Sequence, residues 1–221
     1  MKPRSFAAAA RDLAGVGRRF YARGWVLGTS GNFSTVLAPN PLRLAITASS
    51  VHKGQLRSAD ILQVDDRGAA LGRRTVKASA ETLLHVEIVK RRGAGAVLHT
   101  HSVWSTILSD APRPGISIAG FEMLKGLSGI GTHEHEEWIP IVDNAQDMRA
   151  LSRTVGAMLD DAPAAHAFLL RRHGLYTWGA TLAEAERHVE ILEFLFETIG
   201  RGAARSPLTE EEAYHGAVKD S

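Results

Sequence analysis

The string Leu98-His99-Thr100-His101-Ser102 closes a short apolar run, and His173 follows a second such run and precedes Gly174. Side chains two positions apart on a strand share a side, so His99 and His101 can aim their rings at one point. Imidazole suits a borderline divalent ion such as zinc, and a catalytic zinc site commonly has three protein ligands and an open position. His173 sits where a buried strand would surface, which makes it the plausible third ligand. His-x-His also occurs as a pair of hydrogen-bonded strand histidines, so the spacing alone leaves that reading open. A second cluster, Thr132-His133-Glu134-His135-Glu136-Glu137, is dense in charge and lacks a flanking apolar strand, which favours an exposed loop over a metal site. His52, His85, His166, His188 and His215 stand singly and read as solvated or core histidines. The chain has no cysteine, so disulfides and thiolate ligands are excluded and any metal must be held by His, Asp or Glu.

Two carboxylates could move protons. Glu122 lies in the apolar, glycine-bracketed stretch Ala119-Gly120-Phe121-Glu122-Met123-Leu124-Lys125-Gly126, where partial burial would raise its pKa toward acid/base range. The other reading of Glu122 is a surface ion pair with Lys125. Glu81 falls in the first turn of an expected helix, where a carboxylate suits the helix dipole without further duty. Thr29-Ser30-Gly31-Asn32 and Thr47-Ala48-Ser49-Ser50 are small polar turns that can offer N–H and hydroxyl groups to a phosphate, although such turns are common for their own sake. Ser79, Lys53 and Lys125 could add to that grip. Phe121 and Met123 could wall an apolar substrate tail or simply pack as core.

These groups need elements to position them. Helical spacing predicts a first helix over 5–22, ended by Gly24. Phe33–Leu37, Leu42–Ile46, Ile61–Val64, Ala94–Leu98, Trp138–Val142, Ala167–Leu170 and Leu175–Trp178 read as strands. Helices are expected from Ser79, as N-cap, to Arg91, over Val103–Leu108, over Gln146–Leu159, and from a Thr181 cap to Ile199. The alternation is that of an α/β fold with a central, mainly antiparallel or mixed sheet between helical layers. Residues 1–200 form the expected single domain, and residues 201–221 an acidic, small-residue tail expected to be loosely ordered.

Composition narrows the function classes. The 221 residues are 44% apolar and 23% charged, with a net charge of +2, as in an ordinary globular domain. The basic pairs Arg91-Arg92 and Arg171-Arg172 are too short to form a nucleic-acid stripe. No run reaches the roughly 18 apolar residues of a membrane span, and residues 6–10 are too short for a signal-peptide core. A cytoplasmic location is expected.

Several motifs in fixed order resemble the class II (metal-dependent) aldolase family. They are Thr29-Ser30-Gly31-Asn32-Phe33-Ser34, Ile46-Thr47-Ala48-Ser49-Ser50, Lys77-Ala78-Ser79-Ala80-Glu81, His99-Thr100-His101-Ser102 and Arg172-His173-Gly174. Within the family, Arg92 to Ser102, Glu122-Met123-Leu124-Lys125-Gly126, Ile139-Pro140-Ile141 with Asn144, and Arg171 to Gly179 are most similar to the methylthioribulose-1-phosphate dehydratase branch. The resemblance implies a three-layer α/β/α fold and one Zn²⁺ per subunit on His99, His101 and His173. It implies Glu122 as acid/base, a homotetramer with active sites near subunit interfaces, and dehydration of a phosphorylated ketose. Ala80 stands where some animal members carry a cysteine. Glu81 occupies the position of the acid/base glutamate of the sugar-phosphate aldolases, so aldolase or epimerase chemistry is the alternative activity. A non-catalytic, adducin-head-like interaction domain is the alternative of another class, and the retained histidines argue against it.

Overall fold

The computed structural model describes residues 5–72 and 77–203. An eight-stranded sheet runs in the order β3-β2-β1-β4-β8-β7-β6-β5. Its strands are β1 (Asn32–Pro39), β2 (Leu42–Thr47), β3 (Ile61–Val64), β4 (Ala96–Thr100), β5 (Gly115–Ile118), β6 (Glu137–Val142), β7 (Ala167–Leu170) and β8 (Gly174–Gly179). All neighbours are antiparallel except β6 and β7, so the sheet is mixed, as expected.

Helices cover both faces. On one, α2 (Thr82–Arg92) and α4 (Met148–Asp161) bury Leu84, Ile88, Val155 and Leu159 against Ile46, Val97, Phe168 and Tyr176. On the other, α1 (Phe6–Ala22) packs Leu13 and Phe20 against Phe33 and Leu98, while α3 (Val103–Ser109) and α5 (Leu182–Ala203) cover Leu169 and Leu175. The central strands are buried at nearly every position, so both faces of the sheet must be covered by helices.

Several boundaries differ from the expectation. Ser79 is not the N-cap of α2. The helix starts at Thr82, and Ser79 instead accepts the Glu81 N–H at 3.3 Å while its carbonyl accepts the Thr82 hydroxyl. Glu81 therefore precedes the helix and is free to point inward rather than along its first turn. The strand expected at Ala94–Leu98 is β4, displaced by two residues, so that it contains His99. α4 begins at Met148 because Asp147 accepts the N–H groups of Arg149 and Ala150, a carboxylate N-cap. β5 adds to the strands expected from the sequence; only four residues long, it lies at the sheet edge beside β6. Thr181 does cap α5, whose helix continues past Ile199 to Ala203. The remainder of the expected tail, with His215, lies outside the described residues.

Candidate metal centre

β4 is the middle of the site. Asn32 of β1 lies opposite His99 on one side and Tyr176 of β8 on the other. Strand alternation turns His99 toward the α2 face and Thr100 toward α5, where its hydroxyl donates to buried Glu193 at 2.6 Å. His101 lies one residue past the strand and keeps the side of His99, its N–H donating to the Trp25 carbonyl at 2.8 Å. His173 arrives on the tight β7–β8 turn, where Arg172 takes a positive φ of 54°. Gly174 makes that approach possible: a Cβ there would stand 2.0 Å from the Thr100 carbonyl oxygen.

Three ring nitrogens converge. His101 Nε2 lies 2.7 Å from His99 Nε2 and 3.1 Å from His173 Nε2. Tetrahedral zinc with bonds of 2.0–2.1 Å holds its nitrogens about 3.3 Å apart, so the cluster is close to ligand spacing. The Leu175 carbonyl accepts the His99 Nδ1 proton at 2.8 Å, which leaves Nε2 bare and aimed at the cluster. The Tyr176 ring stacks on His99 at 3.8 Å. Burial pushes all three histidines below their ordinary pKa, His101 to about 2, and their mutual charges add to the effect for His99 and His101. Neutral imidazoles with lone pairs facing one another repel unless a cation lies between them, so the donor set fits a divalent metal. Among the described residues these are the histidines and carboxylates that group as a potential metal site. His133 and His135 do not join such a group: His135 donates to Glu137 at 2.8 Å, and His133 lies 3.8 Å from Glu122.

Glu81 belongs to this centre. Its Oε1 is 3.2 Å from His173 Nε2 and its Oε2 is 3.6 Å from His99 Nε2. Asn32 Nδ2 donates to Glu81 Oε2 at 2.5 Å and to Ser79 Oγ at 3.2 Å. The Asn32 carbonyl oxygen in turn meets His85 Nε2, and His85 Nδ1 lies 2.7 Å from the Ser34 hydroxyl. Burial holds the His85 pKa down at about 4. His85 is the core histidine expected, yet it supports the site by orienting Asn32. Its position four residues after Glu81, on the same side of the chain, was the available signal. The Tyr176 phenol, raised well above its usual pKa by burial and then by Glu81, closes the floor.

Glu122 corrects the sequence expectation of partial burial. It opens a short 3-10 turn, Glu122–Gly126, with a side chain 72% exposed. Lys125 donates to its carboxylate at 2.5 Å and holds its pKa below the ordinary range, not above it. Glycine-bracketed apolar sequence here buries Leu124 and leaves Glu122 and Met123 outside. Its hydrogen-bond and ion-pair partners are Lys125 and His133, not the histidine cluster.

The small polar turns do assemble. Buried Lys53 donates from Nζ to the Thr29 carbonyl at 2.9 Å and the Val51 carbonyl at 3.0 Å, tying the Ser30–Gly31 turn to the Ser49–Ser50 turn. Ser49 N–H donates to the Lys77 carbonyl, which brings the segment of Ser79 alongside. Gly31 has φ of +74°, and a Cβ there would meet the His99 carbonyl at 2.6 Å. Asn32 is committed to Glu81, and Lys125 to Glu122, so neither side chain is free within this cradle.

A family model described as Class II Aldolase and Adducin N-terminal domain matches residues 11–199. This chain belongs to that family. It is 45% identical over 192 residues to a methylthioribulose-1-phosphate dehydratase of Pseudomonas fluorescens (strain Pf0-1), covering 85% of this chain and 90% of the relative. It is 44% identical to that of Methylococcus capsulatus, covering 89% and 95%. Among solved structures, L-fuculose-1-phosphate aldolase from Thermus thermophilus superposes with a TM-score of 0.69 at 25% identity, covering 90% of this chain and 95% of that one. A sugar-phosphate aldolase from Thermotoga maritima shares the fold at 18% identity, with a TM-score of 0.64 and coverage of 90% and 97%. The expected class II aldolase architecture is therefore the one adopted. Among the described residues no helix is long and apolar enough to cross a membrane.

Proposed function

We propose that this chain is a zinc-dependent hydro-lyase that removes water from 5-methylthioribulose 1-phosphate to give 2,3-diketo-5-methylthiopentyl 1-phosphate, a step of methionine salvage in the cytoplasm. The convergence of the three neutral imidazoles beside Glu81 carries the reading, and the dehydratase relatives point it toward this substrate. A divalent ion on His99, His101 and His173, one per subunit, supplies Lewis acidity to a substrate carbonyl.

The chain's own residues do the rest. The Ser30–Gly31 turn, Ser49, Ser50 and Ser79 hold the phosphate, with Lys53 fixing the turns from behind. A carboxylate base takes the C3 proton. The electron pair left at C3 is drawn toward the C2 carbonyl, and the C4 hydroxyl departs with a proton as water. Tautomerisation of the resulting enol gives the 3-ketone, so the balance is the loss of one H₂O. Glu81, held beside the histidines by Asn32, is placed to exchange a proton with substrate oxygens there.

Glu122 is the base, and it works across an interface. Its partners within its own chain are Lys125 and His133 rather than His99, His101 or His173, and it stands exposed on its turn, so in a homotetramer it serves the site of a neighbouring copy, with Lys125 beside it. Met123, exposed on the same turn, faces the methylthio tail, while Phe121 just before it packs against the core under α5.

The test is to incubate zinc-loaded protein with methylthioribulose 1-phosphate and weigh the products. Loss of about 18 mass units, one water, is expected. Cleavage into two smaller fragments would sink the dehydratase reading and favour aldol chemistry. Glu122→Gln should keep zinc and lose turnover; near-normal turnover there, with loss in Glu81→Gln, would reassign the base.

A further inference from the structure

Glu137 opens β6 with a side chain only 1% exposed, and nothing in the reaction above uses it. Its Oε1 accepts the His166 backbone N–H at 2.9 Å, and its Oε2 lies 3.0 Å from His166 Nδ1 and 2.8 Å from His135 Nε2. On its other side His166 presents Nε2 to the Ser128 carbonyl at 2.8 Å. A carbonyl can only accept, so Nε2 carries a proton, and an ionised carboxylate can only accept, so Nδ1 carries one as well. The ring is an imidazolium. Burial alone would lower its pKa; the hydrogen bond and charge of Glu137 outweigh burial and raise it. The same bonds hold Glu137 below the carboxylate range although burial pushes it up.

His188 plays the complementary part. Its Nδ1–H donates to the Trp178 carbonyl at 2.7 Å, which leaves a bare Nε2 to accept the Ser128 N–H at 3.1 Å. The two rings stand nearly perpendicular, 5.5 Å apart. Ser128 also donates its hydroxyl to Glu184 of α5, and Arg187 of the same helix donates to the Gly126 carbonyl at 2.9 Å. The carbonyl, N–H and hydroxyl of Ser128 are thus all engaged, and Ser128 stands two residues beyond the turn that bears Glu122. Leu127 N–H donates to the Leu124 carbonyl at 3.0 Å, which ties the residue next to Ser128 into that turn.

We propose that His166 is a positioning residue: as an imidazolium locked between Glu137 and the Ser128 carbonyl, it clasps the Glu122–Gly126 turn in the pose that presents Glu122 to substrate. This rests on the reading that Glu122 moves the proton. The clasp itself is built from groups outside the metal centre. Loss of the His166 proton removes one of two donors and strips Glu137 of its counter-charge, leaving it only the His135 ring and the His166 backbone N–H. The other ionisable groups facing the clasp are Glu184, Arg187 and His188, all on α5. Because the folded pKa of His166 is raised above 6.5, the clasp is complete below that pH and is lost as pH rises through the folded value.

The experiment uses zinc-loaded, full-length protein labelled with ¹⁵N. Two-dimensional imidazole spectra should show both His166 nitrogens protonated near pH 6.5, with a titration midpoint above that of a free histidine. A His166 ring with one bare nitrogen at that pH overturns the proposal. His166→Gln keeps one donor and lacks the charge. It should lower kcat roughly 10- to 100-fold, the scale of an ångström-level misplacement, with zinc content and KM near wild type and the alkaline limb due to His166 gone from the pH profile. Glu137→Gln should lower the His166 midpoint and weaken kcat in parallel. Wild-type kcat and pH profile in folded His166→Gln would refute the clasp even if Glu122→Gln is dead. Full turnover in Glu122→Gln would instead refute the acid/base reading, and the positioning role with it. If His166→Gln does not fold, the wild-type spectrum and the Glu137→Gln profile decide.

Discussion

The exposure of Glu122 on its own chain makes a quantitative prediction about mixed assemblies. Glu122→Gln leaves the histidine cluster intact, whereas His99→Ala destroys it and leaves Glu122 intact. Each homo-oligomer should therefore be inactive. If each site takes its histidines from one copy and Glu122 from a neighbour, mixing restores function wherever a Glu122→Gln cluster meets a His99→Ala glutamate. With equal amounts and random assembly of a cyclic tetramer, each condition is met half the time, so about one quarter of all sites, and about two sevenths of those in assemblies carrying both chains, should work. Were both groups drawn from the same chain, no site could recover, because every chain carries one lesion. The assay is product formation by mass after co-expression with two affinity tags, purifying only assemblies that carry both. Bound zinc should be about half of wild type in the same sample, since only one chain type keeps its ligands. Verified mixed oligomers with half the zinc and no activity would refute delivery of Glu122 across the interface.

Other outcomes follow from the same geometry. His99→Ala, His101→Ala and His173→Ala should lose stoichiometric zinc by elemental analysis while His133→Ala keeps it; the reverse pattern would move the site to the charged loop. Gly174→Ala forces a Cβ to within 2.0 Å of the Thr100 carbonyl, so it should displace His173 and cost zinc binding even where circular dichroism remains native. Burial raises the Glu193 carboxyl from 4.5 to about 7. The unfolded chain ionises first, so wild-type stability should fall as pH rises from 4.5 to 7 and level off above, by up to about 3 kcal/mol. Glu193→Gln keeps an acceptor for Thr100 and should remove that decline, gaining on wild type between pH 5 and pH 8 in urea melts of the zinc-loaded protein. An unchanged gap between the two proteins would show Glu193 to be ionised in the fold.

Much of the architecture was legible in the chain itself. Short continuous apolar runs ending at His99 and preceding His173 marked strands and their surfacing points, because a strand buried on both faces can contain little else. The ordered motifs then pointed to the family, and the resemblance carried the ligand set with it. What local patterning could not supply was depth. The run around Glu122 looks as apolar as a core segment, but only Leu124 of it is fully buried and Phe121 half-buried, since a short 3-10 turn turns Glu122 and Met123 outward. Glu81 looked like a dipole-stabilising first-turn residue until the helix start moved to Thr82 and Asn32 drew the carboxylate to the histidines.

The histidines show the division most clearly. Spacing alone put His99 and His101 on one side of a strand, because side-chain alternation is a property of the backbone and needs no partner. Bringing His173 to them across 72 residues of chain from His101 took the antiparallel pairing of β4 with β8 and a glycine small enough to let the turn pass the Thr100 carbonyl. The tautomer that bares His99 Nε2 is set by a carbonyl from β8, and the charge on His166 by a carboxylate from β6. Residue types fixed which chemistry was available; proton positions depend on neighbours distant in sequence, and only the tertiary structure supplies them.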